Sequence, residues 1–330
     1  MIFKKFKKSA TLLLLSLFIM PFQVFAYSEY LIPGGENIGI QIHSKGILVV
    51  GVYEVNGTYP ASDAGLMLGD KIVKINEEDV GDINDMIAKI NQAETLSLKV
   101  TYERANKTGN TTLNIVKEDD VFKTGLYVKD SITGIGTLSF IDPNTKLFGA
   151  LGHEITEKNT GKILEVKDGK IFDAAVTGID RSEEGTPGSK NAKFDMTSQN
   201  GTILENTESG IFGTFTSEIP NKKLYKVAAP EDVKLGEAKL LTVISGNEIG
   251  EYDIQILKVN NNTSQKTKNI LFEITDKDLL EKTGGVVQGM SGSTIIQGDY
   301  IVGAVTHVVV DAPNRGYGIL IVNMLEEAEN

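Results

Sequence analysis

Among the residues able to do chemistry, the stretch Gln288-Gly289-Met290-Ser291-Gly292-Ser293 stands out. It lies between two β-rich runs, Gly285-Val286-Val287 and Thr294-Ile295-Ile296, and so reads as a tight loop at a strand end. A Gly-x-Ser-Gly loop suits an acyl-transfer nucleophile. Small residues on either side of Ser291 let the backbone fold back until the N–H groups of Gly289 and Ser291 converge on one oxyanion. Each pre-aimed donor of that kind is typically worth about 10²–10³ in rate. Turn chemistry alone also favours glycine and serine, so the loop needs a base before it means catalysis.

The chain holds three histidines, His43, His153 and His307. His153 ends the apolar run Phe148-Gly149-Ala150-Leu151-Gly152. A base at a strand end is held stiffly and can reach a nucleophile on a neighbouring loop. A hydrogen-bonded structural histidine is the plain alternative. His43 reads as a surface or contact residue, and His307, after the apolar run 301–305, as a buried histidine or a wall of the specificity pocket. Metal chemistry is disfavoured. His153-Glu154 lacks the second histidine of a His-Glu-x-x-His helix, with Glu157 in its place. Gly284-Gly285 is not followed by Lys-Ser/Thr at phosphate-loop spacing. No metal and no cofactor is expected.

Taken together, Leu151-Gly152-His153, Gly289-Met290-Ser291-Gly292-Ser293, Gly303-Ala304-Val305-Thr306-His307-Val308 and Gly316-Tyr317-Gly318-Ile319 resemble the SpoIVB family of sporulation serine peptidases. The resemblance implies Ser291 as nucleophile, His153 as base and Asp276, shortly before the serine loop, as the third member of the triad. Asp276 can equally cap a helical turn over residues 277–280, and Asp173, Asp180 and Asp195 stand in reserve as the acid. Thr294 departs from the family, whose serine loop usually continues with proline. The resemblance further implies self-cleavage and cleavage of a membrane-bound regulator of a sigma-factor-processing protease, between the forespore and mother-cell membranes. A catalytically silent PDZ-containing signalling protein is the alternative.

The elements that must position these groups fall into two parts. At 330 residues the chain is long enough for two domains, and 41% hydrophobic content supports sizeable cores. A net charge of −11 argues against nucleic acid, which needs a basic face. The absence of cysteine excludes disulfides and thiol nucleophiles. Residues 1–26 carry Lys4, Lys5, Lys7 and Lys8 before a short apolar run interrupted by Pro21 and closed by Ala26. This describes a secretory signal peptide or signal anchor, shorter than the roughly 20 apolar residues of a spanning helix. The rest is expected outside the cytoplasm, with membrane association through residues 1–26.

Residues 27–33 read as a connector and residues 34–118 as a PDZ-like α+β module. The module rests on Ala64-Gly65-Leu66 followed by Gly69-Asp70-x-Ile72-x-x-Ile75-Asn76, which resembles bacterial PDZ domains. In that reading the N–H groups of Ile38, Gly39 and Ile40 cradle a peptide carboxylate, Gln41 to Ser44 pair with the peptide backbone, and a helix from Asp82 closes the groove. Ile83, Ile87 and Ile90 are expected on the helix's buried face. Acidic Lys117-Glu118-Asp119-Asp120 reads as a solvated linker. Residues 119–330 read as short strands with glycine turns, and helix is scarce before residues 322–328. The fold expected is mostly β, with the PDZ-like module followed by a chymotrypsin-like double β-barrel serine peptidase domain. The two-barrel arrangement comes from the family resemblance; periodicity says only that the region is all-β. Its partners are protein or peptide substrates, itself included.

Overall fold

A computed structural model describes residues 27–260 and 266–329. The expected signal segment, 1–26, lies outside the described residues. In chain order the elements are β1 (Tyr30–Pro33), β2 (Asn37–Val52), α1 (Pro60–Asp63), β3 (Lys71–Ile75), β4 (Glu78–Asp79), α2 (Ile83–Asn91), β5 (Ser97–Arg104) and β6 (Lys107–Asn114). Next come β7 (Val116–Glu118), β8 (Val121–Lys123), β9 (Leu126–Ile141), β10 (Leu147–Ala150), β11 (Val166–Asp180), β12 (Ser189–Thr207) and β13 (Gly210–Phe215). The last part holds β14 (Tyr225–Val227), β15 (Gly236–Val243), β16 (Ile249–Val259), β17 (Ile270–Ile274), α3 (Lys277–Thr283), β18 (Thr294–Gln297), β19 (Tyr300–Val308), β20 (Arg315–Leu320) and α4 (Ile321–Ala328).

The PDZ-like module has its own core, in which Ile47, Val49, Leu66, Ile72, Ile75, Met86, Ile90, Leu98 and Val100 pack together. Asp70 is fully buried there and compensated. Arg104 grips it through Nε and Nη2 at 2.6 Å each, and the Met67 N–H donates to it at 2.9 Å. Burial without such pairing would be strongly unfavourable. Helix α2 starts where Asp82 caps it, accepting from the Asp85 N–H at 2.8 Å. Its buried face is Met86 and Ile90, while Ile87 is exposed. The helical period leaves residues 86 and 87 competing for one face, and the core takes the longer, more adaptable methionine.

Beyond the module, the strand pairings close on themselves twice. β2 pairs β9 and β11, β11 pairs β12, β12 pairs β13, β13 pairs β10, and β10 returns to β9. Likewise β15 pairs β16, β16 pairs β17, β17 pairs β20, β20 pairs β19, β19 pairs β18, and β18 returns to β15. Each ring encloses a separate apolar core. Ile40, Leu138, Phe148, Ile171 and Ile211 belong to the first, and Leu240, Ile254, Phe272, Ile295 and Val305 to the second.

Three sequence expectations are corrected. The supposed connector contains β1, which pairs β9 of the first ring and β14, itself paired with β19 of the second. The supposed linker is a β7–β8 hairpin turning at Asp119 and Asp120, both with positive φ. The division between the two parts falls inside strands: β2 and β9 each run from the first ring into the PDZ-like core.

A further correction concerns Ile38, Gly39 and Ile40. They lie in mid-strand with both edges taken, Ile38 opposite Gly136 and Asp173, Gly39 opposite Ile135 and Phe172, and Ile40 opposite Gly134 and Ile171. Ile38 and Ile40 are buried in the first ring's core. No free row of N–H groups is left to cradle a carboxylate, and Gln41 to Ser44 are likewise paired by β9 and β11. Gly39 is small because the Phe194 ring lies against it, where any Cβ would overlap that side chain.

Candidate active site

His153 follows β10 through a turn that its neighbours make possible. Leu151 and Gly152 both have positive φ, 71° and 72°. A leucine in this region is strained, and here the surroundings hold it: its N–H donates to the Thr137 carbonyl at 3.2 Å and its side chain is buried. The chain thereby reverses and brings His153 to the cavity that the serine loop lines. Nδ1 of His153 lies 2.8 Å from the Glu154 carbonyl oxygen. A carbonyl can only accept, so in the neutral ring Nδ1 carries the proton and the lone pair is on Nε2.

The serine loop joins α3 and the segment after it to β18. Gly289 and Gly292 hold φ of 94° and 93°, the left-handed region that glycine tolerates. The Met290 N–H donates to the Val287 carbonyl, Gly292 to Val305 and Ser293 to Met290, at 3.1, 2.8 and 2.8 Å. The N–H groups of Gly289 and Ser291 have no acceptor among the described residues. In a loop otherwise fully engaged, these two are the donors left open. The Ser291 hydroxyl donates to the Thr306 carbonyl at 3.1 Å.

Ser291 and His153 line one cavity of about 350 Å³, whose walls include Ile40, Ile132, Ile135 and Leu151. Ile40, expected in a PDZ groove, is a wall of this cavity instead. Thr137, which sequence reasoning missed, ties the parts together. Its N–H donates to the Ser291 carbonyl at 3.1 Å, its hydroxyl to the Gly289 carbonyl at 2.7 Å, and its own carbonyl accepts from Leu151. Since Thr137 turns its N–H and C=O away from β2, strand alternation turns those of Ile135 and Thr133 the same way. The β9 edge at these residues carries no partner strand among the described residues.

Asp276 makes no hydrogen bond to His153 in this structure. It is the N-cap of α3: its carboxylate accepts from the Leu279 N–H at 2.9 Å and from the Asp253 N–H at 3.4 Å. On β17 the residue level with His307, through Tyr317, is Leu271, so Asp276 lies five residues farther along. The reserves are engaged elsewhere, Asp173 with Asn200, Asp180 with Ser189 and Asn191, and Asp195 with Thr197. Among the described residues no carboxylate bonds to His153, and the Glu154 carbonyl fills the orienting place. Asp276→Asn should therefore leave turnover near native, because asparagine caps equally well. Asp276→Ala should cost about 1 kcal/mol of stability through the lost cap. A steady-state assay showing a loss on the order of 10⁴-fold for Asp276→Asn, as for a buried triad aspartate, would return the acid role to it.

The other histidines separate clearly. His43 is half-buried and bonds Asp168 at 2.7 Å across the β2–β11 pair. The ring of His307 stands 5.5 Å from that of His153. Although its outer face meets solvent, desolvation of the ring, then the charges of His153 and Lys268, push its pKa down to about 4. His307 is thus a neutral wall beside His153 at pH 7.

Residues 120–325 match the family model of the SpoIVB peptidase S55, and residues 37–115 match that of the PDZ domain. A curated Lactococcus lactis protein named as a zinc metalloprotease is 29% identical over 110 residues, which is 32% of this chain and only 26% of that relative's length. Two solved structures are also similar. The PDZ domain of an SdrC-like protein from Listeria monocytogenes covers 26% of this chain and 90% of its own, at 20% identity and a TM-score of 0.23. The inactive form of the Rv3671c protease, from Mycobacterium tuberculosis, covers 59% and 85%, at 14% identity and a TM-score of 0.33. The family match takes in the histidine turn, the serine loop and, apart from β2, the strands of both rings, and on it the chain belongs to the SpoIVB peptidase S55 family, as a serine peptidase that carries a PDZ domain.

Proposed function

We propose that the chain is an extracytoplasmic serine endopeptidase of sporulation signalling that cleaves itself and a membrane-bound regulator of a sigma-factor-processing protease. It would act between the forespore and mother-cell membranes, exported or tethered by residues 1–26. The observation that carries the catalytic part is one cavity holding Ser291, a histidine with a free Nε2, and two unengaged N–H groups. Family membership and the character of residues 1–26 support the biological part.

In this reading a substrate strand lies along the open β9 edge at Thr133 and Ile135, as an added strand does. Rotation about χ1 of Ser291 exchanges the Thr306 carbonyl for Nε2 of His153. Such catalytic hydrogen bonds commonly tighten only when substrate is bound. Ser291 Oγ then bonds to the scissile carbon while its proton passes to Nε2. The N–H groups of Gly289 and Ser291 hold the oxyanion. The C–N bond breaks as His153 returns the proton to the amine, and water, deprotonated by His153, releases the acyl group from Ser291.

The test is the chain from Tyr27 onward, incubated with and without Ser291→Ala and followed by intact mass. Wild-type protein should shorten at defined bonds while the variant stays whole. Fragments appearing at the same rate in both would remove self-cleavage from the proposal.

A further inference from the structure

Lys190, on β12, is 6% exposed and makes no ion pair among the described residues. Its Nζ donates to two neutral oxygens, Asn37 Oδ1 on β2 and Thr242 Oγ1 on β15, both at 2.9 Å. An ammonium buried without a carboxylate is costly, and burial lowers its pKa to about 7. A methionine of similar length would fill the space without that cost. The position of the side chain shows what the amine adds.

Lys190 grips the serine loop on both sides of Ser291. Before it, the Lys190 N–H donates to the Gln288 carbonyl at 2.8 Å, and the lysine stem packs against Gly289, where a Cβ would meet its Cβ, Cγ and Cδ at 3.1–3.3 Å. After it, the Ser293 hydroxyl donates at 2.8 Å to the same Thr242 oxygen that receives Nζ. Between the two grips stand the N–H groups of Gly289 and Ser291. The amine also joins the two rings, since Asn37 belongs to the first and Thr242 to the second. We infer that Lys190 is a positioning residue for the oxyanion-binding N–H groups, acting through the Thr242–Ser293 hydroxyls on one side and the Gly289 backbone on the other. The inference rests on Ser291 being the nucleophile.

The test uses the chain from Tyr27 onward, with peptide turnover and the rate of fluorophosphonate labelling as readouts. Lys190→Met keeps the stem and removes the amine. It should lower kcat on the order of 10²-fold, the cost of a small misplacement at a reacting centre. KM should change little, and labelling should slow in parallel. Thr242→Val cuts the same connection from its other end and should lower kcat in the same way, and adding it to Lys190→Met should bring little further loss. If Lys190→Met does not fold, Thr242→Val alone decides. Native kcat in either folded variant, or a loss confined to KM or to melting temperature, would overturn the positioning role. Wild-type protein that fails to label at Ser291 would overturn this inference together with the catalytic reading, whereas wild-type labelling with an equally fast Lys190→Met would remove the inference alone.

Discussion

Ser291→Ala should abolish peptide-bond hydrolysis, with kcat falling on the order of 10⁶-fold, and His153→Ala should fall nearly as far. The double variant should be little worse than either, because nucleophile and base act as one unit and the oxyanion donors remain. Folding should survive. Among the described residues Ser291 makes a single side-chain hydrogen bond, to the Thr306 carbonyl, and a bond of this kind is worth about 0.5–1.5 kcal/mol. Steady-state rates on a peptide substrate, read beside circular dichroism and melting temperature, check both halves. Near-native turnover in His153→Ala would show that another group takes the proton from Ser291.

Gly292→Ala should also be strongly damaging, although it touches no reacting atom. Gly292 has φ of 93°, where alanine is disfavoured. A methyl group there would overlap the Thr137 carbonyl oxygen and come within 2.6 Å of the Leu151 nitrogen. Those two atoms bond each other at the junction of the serine and histidine loops. The added methyl must push the serine loop off β9, which moves Ser291 away from His153 and spoils both oxyanion donors. A loss of at least about 10²–10³-fold in kcat is expected, the scale of one lost oxyanion donor. Gly298→Ala is the control: its φ is also positive, at 60°, but open space surrounds the position, so it should cost stability without touching kcat. Equal kcat losses in the two variants would mean that the close packing of Thr137 on the loop has no bearing on catalysis.

How far the sequence carries the fold and the site differs from residue to residue. Ser291 and His153, which the structure brings to one cavity, are legible because the glycines beside them mark the chain. Thr137, Thr242 and Lys190 leave no such mark. A threonine or lysine in a β-rich run looks the same whether it faces solvent or braces a loop far away in the chain. The PDZ groove misleads for a related reason. Ser44-Lys45-Gly46 carries the composition of a turn, and two short strands with a groove between them follow from it. In the structure the same residues form an irregularity in one long strand, where the register shifts between His43 and Leu48. The long strand β9 accompanies both halves of β2, and local composition holds no information about that partner. Asp276 shows a third kind of difficulty. An aspartate before an apolar turn is a helix cap by local rules and a triad acid by family resemblance. The cap needs only the Leu279 N–H three residues away, whereas the acid needs a histidine that the fold places elsewhere.

The most direct test of the catalytic assignment is reaction of the chain from Tyr27 onward with a labelled fluorophosphonate, followed by peptide mapping. One adduct per chain, on the peptide containing Ser291, is predicted. It should be lost in His153→Ala and kept in Asp276→Asn. An adduct on another serine, or labelling that persists at full rate in His153→Ala, would contradict the assignment of Ser291 and His153 as nucleophile and base.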